Sequence, residues 1–121
     1  MPLKLGESTP YLASKGITAA EGIFTDKDRR TTYVPVIDVH STIWSMQYIQ
    51  PHGIKRFAKD GRKEGCFHVI GGIKGLAAAP ALVIGEGYAT ARTVSEALGF
   101  ATVAAFDAGN LPAVAKALAT A

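Results

Sequence analysis

With 121 residues, 48% of them apolar and 19% charged, the chain is long and apolar enough to build a hydrophobic core as one domain or two small lobes, which excludes a disordered tail. No apolar run reaches the roughly 18 residues a membrane helix needs, and MPLKLGESTPYL lacks the continuous apolar region of a secretory signal. The single cysteine, Cys66, excludes an internal disulfide and a cysteine zinc site, so a cytoplasmic protein with no membrane partner is expected. The net charge of +3 names no partner by itself. Its distribution says more, because Lys55, Arg56, Lys59, Arg62 and Lys63 fall in one short stretch opposed only by Asp60. Such a cluster suits a phosphate backbone, and a solvated hairpin tip explains it as well.

In chain order, Ser8-Thr9-Pro10 predicts a helix start, with Tyr11, Leu12 and Ile17 on its apolar side and Gly16 as its stop. Thr18 to Arg30 reads as a short helical turn followed by a polar loop. From Thr31 the period changes to two. Thr32 to Ile37 reads as a strand in which Pro35 favours an edge position or a bulge, and Thr42 to Ile49 alternates as a second strand. On that second strand Trp44, Met46 and Tyr48 share a face, for which core packing is the expectation ahead of base stacking. After the turn Pro51-His52-Gly53, Ile54 to Phe57 completes an antiparallel meander. A polar loop from Lys59 to Glu64 leads to a short buried strand, Cys66 to Ile70, in which Cys66 is a small core residue.

The character shifts near Leu76. Ala81 to Ile84 is a wholly apolar run, as expected of a strand covered on both faces, and Tyr88 to Leu98 has helical spacing with a stop at Gly99. Ala101 to Phe106 is a second such strand, and Leu111 to Ala121 is an alanine-rich helix started by Asn110 and Pro112. Strand, helix, strand, helix in this order predicts a parallel sheet. Open α/β sheets bind ligands at the carboxyl ends of their strands, and two acids lie there: Glu86 between Gly85 and Gly87, and Asp107 after the second strand. A carboxylate at such a place can hold Mg²⁺ or act as general acid or base in phosphoryl transfer. The plainer reading is that Glu86 complements the dipole of the helix that follows, and that Asp107 turns the chain toward the helix begun by Asn110. His40, His52 and His68 are too scattered for a metal site, and Asp26-Lys27-Asp28 reads as a surface turn.

Leu82-Val83-Ile84-Gly85-Glu86-Gly87-Tyr88-Ala89-Thr90-Ala91, followed by Val103 to Leu111, resembles the first half of a Toprim domain, in the variety found in plasmid conjugative-transfer primases and phage primase–helicases. Upstream, Tyr33 to Asp38, Ile43 to Gln47, Lys55-Arg56-Phe57 and Gly65 to Gly71 resemble the strand-rich lobe that precedes Toprim in bacterial replicative primases, and Tyr11 to Ile17 is similar to the helix that opens it. The resemblance implies an α/β fold of α+β character, with a strand-rich lobe over residues 1–75 and a Toprim βαβα half-sheet over 76–121. It implies that Glu86 is the catalytic acid/base or a metal-site residue, with Gly87, Asp107, Gly109 and Asn110 as secondary candidates. Lys55 and Arg56, with Lys59, Arg62 and Lys63 beside them, become the candidates for contact with template or nucleotide.

The family's DxD motif, which follows its third strand and binds divalent metal, does not occur after Asp107, so this chain is expected to bind metal weakly and catalyse little. The implied parent enzyme is a DNA primase that makes primers from nucleoside triphosphates on single-stranded DNA with Mg²⁺ or Mn²⁺, with a helicase or replication protein as a further partner. Two alternatives stay open: a non-catalytic module that binds single-stranded DNA or a replication partner, and a topoisomerase- or nuclease-like Toprim protein.

Overall fold

Two sheets share the chain. The computed structural model describes residues 4–5, 8–20, 22–58, 61–71 and 82–119. The first sheet is antiparallel and takes its strands in chain order: β1 (Lys4–Leu5), β2 (Phe24–Thr25), β3 (Thr32–Ile37), β4 (Ile43–Ile49) and β5 (Lys55–Phe57). The second is mixed. Its central strand β8 (Ala101–Ala104) pairs antiparallel with β6 (His68–Val69) and parallel with β7 (Leu82–Gly85). Three helices complete the chain: α1 (Pro10–Ser14), α2 (Tyr88–Leu98) and α3 (Leu111–Ala119). The mixed α/β class expected from the sequence is what the fold shows.

The helices begin and end where side-chain chemistry allows. Thr9 Oγ1 accepts from the Leu12 backbone N–H at 3.3 Å, and Pro10 occupies the first turn, where no N–H is needed. Helix α2 stops at Gly99, which has a φ of 70°, a left-handed conformation open to glycine without steric penalty. Residues 18–20 and 22–30 depart from the expected helical turn. They hold the two-residue strand β2, which is tied to β3 through Thr25↔Thr32 and Phe24↔Tyr33.

Strand β3 lies in the middle of the sheet, yet Pro35 is tolerated there. Strand β2 reaches only Thr32 and Tyr33, so no ladder bond is lost at Pro35, and the pairing with β4 bulges directly after Val36. The pairing of β3 with β4 also settles which face of β4 is inside. Val34 sits opposite Gln47 and Val36 opposite Ser45, and directly opposed residues share a face. The buried side of β4 is therefore Ser45, Gln47 and Ile49, while Trp44 is 43% exposed and Met46 and Tyr48 are half-buried. Core packing of Trp44, Met46 and Tyr48, expected from their apolar character, is corrected by this register.

The main core lies between the inner face of the first sheet and the helices. It joins Tyr11 and Leu12 of α1, Val34, Val36 and Ile49 of the sheet, Cys66, Tyr88 of α2, and Phe106. A second core joins Phe67, Val69, Val103 and Ala105 to Val114 of α3. A β-bridge between Ile37 and Phe67 links the two sheets. Asn110 fastens the same junction: its amide donates to the carbonyls of Lys63, Cys66 and Ala105, and its oxygen accepts from Gly65 N at 2.8 Å. Thr18 closes the other flank, donating through its N–H and hydroxyl to Glu96 while its carbonyl accepts from Arg92.

His68 is buried in this junction. Its Nδ1 lies 3.1 Å from the Pro35 carbonyl, its ring stands 5.5 Å from that of Tyr88, and its Nε2 has no hydrogen-bond partner among the described residues. Burial holds its pKa down to about 4, so the ring is neutral at neutral pH and Nδ1 carries the proton donated to Pro35.

Two predictions follow from these contacts. Asn110→Ala leaves buried carbonyls without a donor and should lower unfolding free energy by about 2–4 kcal/mol, read as a shifted urea midpoint at unchanged slope. For His68 the folded pKa lies below the unfolded one, so its contribution is complete above about pH 6.5 and is lost as the pH falls toward 4. Over that window the wild type should lose roughly 3 kcal/mol more than His68→Gln, which stays neutral throughout. Equal losses in the two proteins would show that His68 does not govern acid sensitivity.

Candidate functional site

The site is assembled at the carboxyl ends of the parallel strands β7 and β8, where the basic strand of the first sheet arrives from the other side. At the end of β7, Gly85 is required by close approach. A Cβ placed on it would stand 3.1 Å from Ala91 Cβ and 3.2 Å from Ala91 Cα, tighter than an ordinary contact, so a side chain at residue 85 would push α2 a few tenths of an ångström off the strand. Glu86 follows with its side chain exposed. Gly87 then takes the N-cap position of α2 in an extended conformation, and among the described residues no side chain caps the helix. The first backbone N–H groups of α2 and the positive end of its dipole thus face the space beside Glu86.

Lys55 enters this space from β5. It stands opposite Ile49 on the inner side of the first sheet, and its ammonium lies 3.8 Å from where a Cβ on Gly87 would be. The Tyr11 ring supports it at 5.9 Å, with Lys15 at 5.8 Å from the same ring. The structure therefore brings Lys55 to the Gly85-Glu86-Gly87 turn, although the two are thirty residues apart in sequence.

Lys63 reaches the neighbouring strand end. Its Nζ lies 2.6 Å from Asp107 Oδ2 and 4.9 Å from the centre of the Phe57 ring, which packs edge-on against Phe106. Asp107 also accepts from the Asn110 backbone N–H through Oδ1 at 2.8 Å, capping a 3-10 turn over Ala108–Asn110. Lys63, followed by this cap, holds the Asp107 carboxyl below the usual carboxylate range. Between β8 and Asp107 the backbone passes through Phe106 at a φ of 77°, a conformation that costs a bulky side chain on the order of 1–3 kcal/mol.

The remaining candidates separate clearly. Asn110 is buried and its amide is fully engaged in holding the two sheets together, so its role in the geometry is that of a fastening. Gly109 is exposed beside Asp107. Arg56 and Arg62 do not join Lys55 and Lys63. Arg56 stands opposite Tyr48 on the outer face of the sheet, and Arg62 lies over the Trp44 ring at 5.2 Å. Lys59 lies outside the described residues.

Glu86 and Asp107 alone do not make a cage for a hard divalent ion, because Asp107 is already engaged by Lys63 and Asn110. Among the described residues no group of three or more His, Cys, Asp or Glu is placed to hold a metal. The sequence reading missed Tyr11 and the Phe57–Phe106 pair as supports for the two lysines. Their signal was present as alternation, since Lys55 and Phe57 share strand parity and Arg56 has the other.

Comparison with known proteins gives a consistent picture. Over 112 residues, 93% of this chain, the sequence is 66% identical to a protein of Escherichia coli named DNA primase TraC, and a second protein of that name and organism is 63% identical over 112 residues. The chain spans 11% and 8% of the lengths of these relatives. No family model matches the chain, and no solved structure matches it. Among the described residues no helix is long and apolar enough to cross a membrane.

The tight approach at Gly85 is open to direct test. Gly85→Ala should cost about 1–3 kcal/mol in urea unfolding, because the helix must lift off the strand. A loss under a few tenths of a kcal/mol would mean that α2 sits farther from β7 than the geometry shows.

Proposed function

We propose that this chain is part of a DNA primase of the Toprim type, in which it carries the basic lobe and the glutamate turn of the site that joins nucleotides on a single-stranded DNA template. The observation that carries the reading is the meeting of Lys55 with Gly87 at the N-terminus of α2, where an ammonium comes beside a helix end directly after the exposed Glu86. Phosphate is the ligand that this combination suits: Lys55 and the helix end would attract it, and the role proposed for Glu86 is that of proton donor or acceptor. High identity to proteins named DNA primase supports the same reading, with single-stranded DNA and nucleoside triphosphates as the expected substrates. Mg²⁺ or Mn²⁺ belongs to the proposal for the longer enzyme, since Glu86 and Asp107 do not suffice to hold it. A plasmid-borne origin, a helicase or replication protein as partner, and a cytoplasmic setting belong to the proposal in the same way.

A second reading is favoured by that incomplete donor set: the 121-residue chain binds single-stranded DNA and performs no chemistry by itself.

Fluorescence anisotropy with labelled single-stranded DNA across a salt series tests the binding half. Contact with about four phosphates predicts a log–log slope near −3, and Lys55→Ala should flatten it by roughly 0.7. An unchanged slope would remove Lys55 from the interface. For the chemistry, Glu86→Gln in a protein of the relatives' full length should lower primer synthesis at least about 100-fold while leaving DNA affinity in place. Undiminished synthesis would leave the binding-module reading standing alone.

A further inference from the structure

The outer face of the first sheet, turned away from the glutamate turn, carries an arrangement that nothing above uses. Trp44, Met46 and Tyr48 project from it at alternate positions of β4, about 7 Å apart along the strand. Tyr48 is braced edge-on by Tyr33 at 5.4 Å, and Arg56 stands directly across from it on β5. Beside Trp44, the Arg62 guanidinium lies over one face of the indole at 5.2 Å.

The indole is held in place. Its Nε1 donates to Asp38 Oδ2 at 2.7 Å, while Asp38 Oδ1 accepts from the backbone N–H groups of His40 and Thr42. The Asp38 charge is thereby engaged by three donors in its own turn. An exposed apolar ring would ordinarily be left free to rotate. Here a carboxylate fixes its orientation, and 43% of the residue stays open to solvent.

We infer that this face is a stacking platform for single-stranded DNA, with Trp44 and Tyr48 receiving bases and Arg56 and Arg62 meeting the phosphates between them. The occupant follows from charge and shape together. Fixed aromatic rings offer π-faces that suit any base, and the described cations on this face are arginines, which stack on bases and pair with phosphate through the same planar group. An apolar protein partner would leave the two guanidinium groups without an anion, whereas a nucleic-acid strand brings a phosphate to each. The strand's identity as DNA rests on the template reading above, whereas the platform itself stands on the opposite face of the sheet from Lys55 and fails separately.

Trp44 is the chain's single tryptophan, so its emission reports on the platform directly. The experiment titrates the 121-residue protein with oligothymidylate, with an abasic deoxyribose-phosphate strand of the same length, and with oligouridylate, following Trp44 fluorescence together with anisotropy of the labelled strand. Oligothymidylate should quench Trp44 and the abasic strand should not. Trp44→Leu should weaken binding about 5- to 150-fold, the range expected for loss of one stacked base, and Trp44→Phe should recover most of it. Binding without quenching, at an affinity that Trp44→Leu leaves unchanged, overturns the platform and leaves the Lys55 cleft untouched. Quenching that persists in Lys55→Ala at an unchanged salt slope has the opposite meaning, sinking the cleft contact and keeping the platform. Quenching that tracks protein concentration in the absence of DNA would assign the face to a second copy of the chain, tighter quenching by oligouridylate would assign it to RNA, and no binding at low salt would remove both contacts; each of these overturns the proposal.

Discussion

The junction of the two sheets, and with it the Lys63–Asp107 end of the candidate site, depends on one buried amide. Asn110 accepts from Gly65 N and donates to carbonyls of Lys63, Cys66 and Ala105, so a single side chain joins the loop leaving the first sheet to the end of β8. Primary amides suit this task because they combine donors and an acceptor in one rigid plane. Fixing the Lys63 carbonyl fixes the backbone from which Lys63 reaches Asp107, and fixing the Ala105 carbonyl fixes the exit of β8. The left-handed Phe106 lies inside that clamp. Its strain of about 1–3 kcal/mol is offset by a network of this size and by the burial of its ring against Phe57. Lys63 and Asp107 themselves are about 40% exposed, so their ion pair adds little to stability, and their alignment comes from the amide beneath them.

Much of the fold is legible in the sequence wherever local chemistry decides it. Thr9-Pro10 sets the start of α1, Gly99 ends α2, and the apolar runs beginning near Leu82 and at Ala101 form the parallel pair β7–β8 with α2 between them. The strand β2 is not legible, because two residues carry no period, and they become a strand only through pairing with Thr32 and Tyr33. Strand β6 shows a related limit. His68 and Val69 read as a strand of the first lobe, yet they pair with β8 in the second sheet. Which sheet a two-residue strand joins is decided by tertiary contacts such as the Ile37–Phe67 bridge, which no local signal announces.

The site divides along the same line. Glu86 and Asp107 are legible because glycine spacing and the ends of apolar strands mark the carboxyl edge of a parallel sheet. The inner face of β4 is not. Hydrophobicity ranks Trp44, Met46 and Tyr48 above Ser45, Gln47 and Ile49, yet the second set is buried. The reason lies in β3, where Val34 and Val36 belong to the core and their cross-strand partners must follow them inside. One strand's register thus overrides its neighbour's composition, at the cost of burying Ser45 Oγ and Gln47 Oε1 without partners among the described residues.

That inversion carries through to the charges. In the basic run, β-strand alternation sends Lys55 inward to the glutamate turn and Arg56 outward to Tyr48, and the loop that follows sends Arg62 to Trp44 and Lys63 to Asp107. A cluster that reads as one patch in sequence is two sets of cations on opposite faces of a thin sheet. The chemistry sorts with them. The compact ammonium groups sit where carboxylates and a helix end define a small, directional space, and the planar guanidinium groups sit beside exposed aromatic rings. Had the register of β4 followed its hydrophobicity, Arg56 and Trp44 would have been drawn into the core and Lys55 turned away from Glu86, so the buried polar residues of β4 are the condition for the site's existence.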